Sequence, residues 1–353
     1  MNVKQEPVAE TVGIIENGNP DRVMILTDSN VALIEESFIS TLQSMLSPIC
    51  PSGLYVTPAG EENKNLGALE GILDAMSRGG LTRRSMLICI GGGMVTDIGG
   101  LAAALFKRGI RHINIATTLL GAVDASVGGK TAIDFHGLKN EIGAFHMPLA
   151  VLADSDSFSS LPPSEILSGF GEVIKTALIA DEAMTARLLN INPLEADAQI
   201  LDEVCRFCRK EKMRIVETDP TEKGLRKILN FGHTAGHAIE SLLIEKGTPL
   251  PHGSAIAHGN LVALILSNLE EGLDTHWVTD YARWLRRNYP EAKFTCADYD
   301  RLWTLATHDK KNHEADRLAY TLIPRPGQPV YDRPVTRDRL FAALDIYQEL
   351  LGR

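Results

Sequence analysis

The chain has 353 residues, of which 44% are hydrophobic and 23% charged, enough for two cored domains and too apolar for a disordered chain. A formal net charge of −10 argues against a broad surface for nucleic acid or anionic membrane, because the overall field repels polyanions. Five cysteines scattered along the chain form no disulfide framework, the N-terminus lacks an apolar signal core, and no apolar run approaches the ~20 residues of a membrane span, so a cytoplasmic protein is expected.

Taken in chain order, residues 23–28 read as a strand ending in polar groups, followed by an amphipathic helix over 31–46 and a strand at 54–57. A loop over 58–64 leads into a helix that stops at Gly79-Gly80. Apolar runs at 86–90, 112–115 and 149–153 have the length of buried strands. The alternation predicts βα units on a mostly parallel sheet, a Rossmann-like α/β domain over residues 1–161. Leu161-Pro162-Pro163 is the natural boundary. Beyond it helix-period patterns dominate, with 319–323 strand-like before a closing helix near 337–351, so residues 162–353 are expected to form an all-α domain.

Gly91-Gly92-Gly93 directly follows a buried strand and opens a helix that carries Asp97. Glycines there let a pyrophosphate approach the backbone, and the helix N-terminus supplies oriented N–H groups. Thr96 stands where a third glycine would complete the dinucleotide pattern, so a tight structural turn competes with a nucleotide role. The stretches 117–131 and 137–143 add glycines, two lysines, an aspartate and an asparagine in a short span. Such a composition is costly to fold unless it lines an anionic ligand, although lysines are most often mere surface charges.

The run from Arg226 to Glu240 has helical spacing, and offsets of four, seven and eleven bring Arg226, Asn230, His233 and His237 to one face of a continuous helix. Two imidazoles four residues apart can both reach a cation, or one can ligate while the other hydrogen-bonds substrate; a solvated helix face is the plain alternative. There is no His-Glu-x-x-His, which excludes that metalloprotease arrangement. Cys205 and Cys208 have zinc-knuckle spacing without a second pair, and read as helix packing.

Together these motifs carry a resemblance. Gly91-Gly-Gly with Asp97, Phe106-Lys-Arg108-Gly, Thr117-Thr118-Leu-Leu120, Val123-Asp124-x-Ser-Val-Gly-Gly-Lys130-Thr, Lys139-Asn140, Gly171-Glu172-Val-Ile-Lys175, the 226–240 run, His252-Gly and Asp309-Lys310-Lys311-Asn312 occur in the order seen in the 3-dehydroquinate synthase family of sugar phosphate cyclases. The resemblance spans nearly the whole chain. It implies Glu172, His233 and His252 as ligands of a catalytic divalent metal, zinc or cobalt. It also implies NAD against Asp28, Asn30, Glu61, Lys64, Gly91, Gly92, Gly93, Asp97, Thr117, Thr118, Leu120, Lys130, Lys139, Ser157 and Ser160. Substrate would be held by Arg108, Asp124, Lys130, Lys139, Asn140, Lys175, Lys212, Arg226, Asn230, His237, Lys310 and Lys311, a set rich in cations that suits a phosphorylated carboxylate sugar.

The implied reaction converts 3-deoxy-D-arabino-heptulosonate 7-phosphate to 3-dehydroquinate and phosphate by transient oxidation, β-elimination, re-reduction and intramolecular aldol closure. In that reaction NAD would be regenerated each turnover, so the resemblance implies a lyase of the shikimate pathway, and a homodimer. Ala125, Pro220, Ser254 and His258 depart from the family's usual residues without removing an implied ligand. Rival readings are a cyclase of another specificity, for 2-deoxy-scyllo-inosose or aminodehydroquinate, a metal-dependent polyol dehydrogenase of the glycerol dehydrogenase type, and a catalytically silent binding protein. Lys212 and Arg226, suited to a carboxylate, argue against a cyclase of sugars without a charged end; the dehydrogenase would need fewer anion-binding side chains and would release NADH.

Overall fold

A computed structural model describes residues 5–136, 138–153, 155–307 and 317–352. The chain divides into two compact units, residues 1–161 and 162–353.

The first unit begins with α1 (Gln5–Gly18) and then alternates β1 (Val23–Asp28), α2 (Ser29–Ile34), α3 (Glu36–Leu46), β2 (Ser52–Thr57), α4 (Leu66–Arg78), β3 (Met86–Gly91), α5 (Gly93–Leu105) and β4 (Arg111–Ala116). A hairpin of β5 (Lys130–Phe135) and β6 (Leu138–Phe145) precedes the last strand, β7 (Ala150–Ala153). The sheet is parallel in the order β2-β1-β3-β4-β7. Every residue of β1 and β3 is buried, because helices cover both faces, and this is why those strands read as unbroken apolar runs. Successive side chains serve opposite faces: Ile25 and Ile88 pack with Ile15, Ile39 and Leu42 of α1 and α3, whereas Leu26 and Leu87 pack with Ile72, Met76 and Leu101 of α4 and α5.

Two local expectations change. The helix anticipated over 31–46 is broken at Glu35, which has φ −105° and ψ 24° and whose buried carboxylate accepts a 2.8 Å hydrogen bond from the Ser157 hydroxyl. The glycine-rich stretch after Thr118 contains the β5–β6 hairpin; its glycines hid the β pattern, yet Gly143 is required because a Cβ there would lie 2.3 Å from the Thr131 carbonyl oxygen.

The second unit contains α6 (Pro163–Ala180), α7 (Glu182–Leu188), α8 (Ala198–Thr218), α9 (His233–Glu245), α10 (His252–Glu271), α11 (Thr275–Asn288) and α12 (Tyr299–Thr307). A hairpin of β8 (Arg317–Leu322) and β9 (Val330–Thr336) and a final α13 (Arg337–Leu350) follow. The unit is therefore helical but not all-α. Strand β9 was invisible because it alternates poorly and contains Pro334, which a two-stranded hairpin tolerates at an edge. Cys205 and Cys208 are buried along α8 and pack in its core.

The 226–240 run is not one helix. A 3-10 turn over Leu225–Asn230 ends at Phe231, Gly232 adopts a left-handed φ of 74°, and α9 starts afresh at His233. The stripe is thus bent at its middle, and the two histidines open a helix instead of continuing one. Among the described residues, no helix is long and apolar enough to cross a membrane.

Candidate active site

In the first unit, strand order reverses direction between β1 and β3: from β1 the chain goes to β2 on one side and then returns to β3 on the other. In open α/β sheets ligands bind at the carboxyl ends of strands flanking such a switch point. Asp28 ends β1 and Gly91 ends β3, so these two implied NAD residues lie at the carboxyl ends of the strands that flank the switch point. Gly92 caps α5 without a side chain to accept from its first-turn N–H groups, and a Cβ at Gly92 would meet the Thr118 side chain at 3.0 Å. The buried Thr117 hydroxyl has no hydrogen-bond partner among the described residues. A side-chain-free helix start beside an orphan hydroxyl fits a dinucleotide's pyrophosphate.

Other implied residues of this unit have structural partners. Asp28 Oδ1 accepts from the N–H groups of Asn30 and Val31 at 2.9 and 3.0 Å, capping α2. The Lys64 ammonium lies 2.6 Å from Asp97 Oδ2, 2.7 Å from Asn140 Oδ1 and 3.5 Å from Glu61 Oε1, joining three separate motifs. Burial would depress its pKa, but Asp97 and Glu61 outweigh that and hold it above its ordinary value. Ser160 donates to the Ser157 carbonyl at 2.7 Å, tightening the 3-10 turn over Ser155–Ser160. Leu120 is half-buried, Asp124 sits in a π turn over Gly121–Ala125, and Lys130 and Lys139 are exposed on β5 and β6. Arg108 has φ 68° in the exposed turn after α5. Ala125 closes in on the start of α5, where a Cβ at Gly93 would lie 3.1 Å from its own.

The second unit gathers the histidines. The ligand atoms of His233, His237 and His252 all lie within 4.8 Å of one another. Nε2 of His233 and Nε2 of His252 stand 3.5 and 3.6 Å from the same oxygen, Glu172 Oε1. The Glu172 side chain is fully buried, and its Oε2 lies 2.5 Å from the Lys175 ammonium. The Nδ1 atoms point elsewhere: His233 toward the Phe231 carbonyl at 3.1 Å, and His252 toward Glu240 Oε2 at 3.1 Å. A neutral ring that donates through Nδ1 keeps its lone pair on Nε2.

Burial holds His233 well below its ordinary pKa despite the Glu172 charge, so it is a neutral donor. For His252 burial acts in the same direction, but hydrogen bonds to Glu172 and Glu240 override it and push the ring up to about 10. A cation must therefore displace a proton from His252 at neutral pH. Two imidazoles and a buried carboxylate, each held from behind, fit a divalent ion of the zinc or cobalt kind.

Backbone contact makes this convergence feasible. Each donor adjoins a glycine: Gly171 precedes Glu172, Gly253 follows His252, and Gly232 and Gly236 precede the other two histidines. A Cβ on Gly171 would sit 1.8 Å from the Gly253 oxygen, and one on Gly253 would sit 1.8 Å from the Ser168 oxygen. Helices α6 and α10 thus touch at their backbones, at the level of the donors.

Arg226 is buried and donates to the Pro220 carbonyl at 2.8 Å, while Asp219 accepts from the N–H groups of Lys223, Gly224 and Arg226. Pro220 acts here through its backbone oxygen, so its side chain does not bear on the contact. Glu222, which its place in sequence makes a candidate ion-pair partner of Arg226, has φ 60°, and its carboxylate accepts from the Asn230 amide at 2.8 Å. Only the turn of the chain brings it there. Lys212 is buried in α8, Ser254 and His258 are buried in α10, and His258 is fixed at both ring nitrogens by the Pro290 carbonyl and the Tyr347 hydroxyl. Lys310 and Lys311 lie outside the described residues.

Comparison with known proteins accords with this arrangement. A model described as 3-dehydroquinate synthase N-terminal matches residues 54–168, and one described as 3-dehydroquinate synthase C-terminal matches 169–312. The 3-dehydroquinate synthase of Parabacteroides distasonis is 41% identical over 332 residues, covering 94% of this chain and 93% of its own. A crystal structure of 2-deoxy-scyllo-inosose synthase complexed with carbaglucose-6-phosphate, NAD+ and Co2+ superposes with a TM-score of 0.82 at 26% identity, covering 96% of this chain and 93% of that one. The 2-epi-5-epi-valiolone synthase of Streptomyces hygroscopicus, solved with NAD+ and Zn2+, shares the fold at a TM-score of 0.78 and 24% identity, with 94% and 92% of the two chains covered. Both halves match in order and one relative aligns along nearly its full length, so the chain is an enzyme and belongs to the 3-dehydroquinate synthase family.

Proposed function

We propose that the enzyme converts 3-deoxy-D-arabino-heptulosonate 7-phosphate to 3-dehydroquinate and phosphate, with NAD held at the β1–β3 edge and a divalent cation held by Glu172, His233 and His252. When bound, NAD supplies a hydride acceptor that later returns the hydride, and the cation supplies a Lewis acid for substrate oxygens. The observation that carries the reading is the shared approach of both Nε2 atoms to Glu172 Oε1. Glu172 and the neutral His233 present lone pairs, and His237, at 5.2 Å ring to ring from His233, is left to hydrogen-bond a substrate oxygen. Lys175, Lys212 and Arg226 are buried cations in this unit, a placement favoured when anionic groups of protein and substrate surround them. In the other unit Lys64, Asp97 and Asn140 hold the β5–β6 hairpin against the glycine loop's helix, which orients Lys130 and Lys139.

Purified protein with substoichiometric NAD and added zinc should release inorganic phosphate from the heptulosonate phosphate over many turnovers, with no rise in NADH absorbance. Stoichiometric NADH would instead mark a polyol dehydrogenase. Phosphate release from a hexose 6-phosphate in place of the heptulosonate would mark a cyclase of another specificity. We further take the enzyme to be a cytoplasmic homodimer; elemental analysis identifies its metal, and sedimentation its assembly.

Arg226 is assigned to the substrate carboxylate through paired, charge-assisted hydrogen bonds. Arg226→Lys keeps the charge and loses the fork, and is expected to lower kcat/KM at least about tenfold, equivalent to ~1.4 kcal/mol of transition-state stabilisation, with metal content unchanged. If Arg226→Lys and Lys212→Ala both turned over substrate like the parent enzyme, the carboxylate would be held elsewhere.

A further inference from the structure

We infer that Glu240 is a positioning residue that fixes the tautomer and orientation of His252, so that Nε2 of that ring is the atom presented for metal binding. The inference rests on the reading of His252 as a ligand. Glu240 lies on α9 and His252 opens α10, and Glu240 Oε2 is 3.1 Å from His252 Nδ1. The two candidate ligands are secured differently. His233 is oriented by the carbonyl of Phe231, two residues earlier, so its geometry comes with the local backbone. His252 follows Pro251 at the first position of its helix, and its ring partner comes from another helix.

The burial values agree with that division. The His252 side chain is 33% exposed, whereas the Glu240 side chain behind it is only 8% exposed. A carboxylate so far out of water needs a donor or a positive partner, and the His252 Nδ1–H supplies one. A ring held by Nδ1–H···carboxylate has its Nε2 on the opposite edge, and this edge faces Glu172 at 3.6 Å. The charge of the carboxylate also raises the basicity of the ring toward a cation. Glu240 touches neither substrate nor cofactor in this scheme. A purely structural carboxylate in the α9–α10 packing would affect stability while leaving metal affinity alone.

The test uses the full-length protein stripped by chelator and then titrated with Zn2+ in competition with a chromogenic chelator. Glu240→Ala removes the acceptor and is expected to weaken Zn2+ binding about 10–100-fold. Glu240→Gln keeps the shape and a carbonyl acceptor without the charge, and is expected to fall between Glu240→Ala and the parent. The Co2+-loaded Glu240→Ala variant should show an altered visible spectrum, because the ring presents a different edge to the ion. Wild-type Zn2+ affinity in folded Glu240→Ala, with His252→Ala weakened, overturns the inference and leaves the ligand assignment standing. Wild-type affinity in His252→Ala overturns the ligand assignment itself. Should Glu240→Ala fail to fold, Glu240→Gln decides alone: reduced affinity supports the role and unchanged affinity rejects it.

Discussion

His233→Ala is expected to lose both bound metal and turnover, by at least about 1,000-fold in rate, or ~4 kcal/mol of transition-state stabilisation. The expectation follows from position. His233 is the first residue of α9 after a left-handed glycine, its Nδ1 is committed to the Phe231 carbonyl, and its Nε2 lies 3.5 Å from Glu172. His237→Ala removes a ring within the same cluster but is expected to keep the metal and lose rate alone, since His237 is assigned to substrate. Chelator should abolish wild-type activity, and zinc or cobalt should restore it. Equal metal loss in the two alanine variants would place His237 among the ligands, and full activity in stripped protein would end the metal reading.

Gly253→Ala should be nearly as damaging without altering any donor. The added Cβ would stand 1.8 Å from the Ser168 carbonyl oxygen, a backbone atom that cannot rotate away, so α6 and α10 must separate. Overpacking of this kind costs on the order of 3 kcal/mol, which corresponds to a melting-temperature fall of roughly 6–12 °C for a unit of this size. Glu172 lies on α6 and His252 on α10, so separation also pulls the donors apart and weakens Zn2+ binding. Gly247→Ala provides the comparison, because nothing lies within 4 Å of its Cβ position and only its φ of 70° is strained. Thermal melts and Zn2+ titrations of both variants check this. A Gly253→Ala protein with parental melting temperature and metal affinity would mean that the helices do not meet through their backbones at this point.

Much of the fold could be read from local pattern. Buried parallel strands appear as apolar runs whatever lies around them, and β1 was readable over its full length for that reason. A helix end marked by local chemistry was also accessible, since Gly79 ends α4. The polar residues of the 226–240 run stood out because they interrupt apolar surroundings. The order of motifs carried the family, the enzyme class and the reaction.

What depends on contacts distant in sequence was decided only by the tertiary structure. The hairpin β5–β6 needs the pairing of two glycine-bearing strands, and β9 needs β8 across from Pro334. The bend at Phe231-Gly232 separates Arg226 and Asn230 from the helix that begins at His233, although periodicity alone drew one stripe. In sequence Glu222 suggests no more than a local pair with Arg226, and Glu240 is an ordinary glutamate. Their meaning comes from a left-handed turn in one case and an apposed helix in the other, which bring carboxylates to Asn230 and His252. Periodicity records which face of an element is apolar, but hydrogen bonds between elements depend on where the chain returns, and that is set by packing.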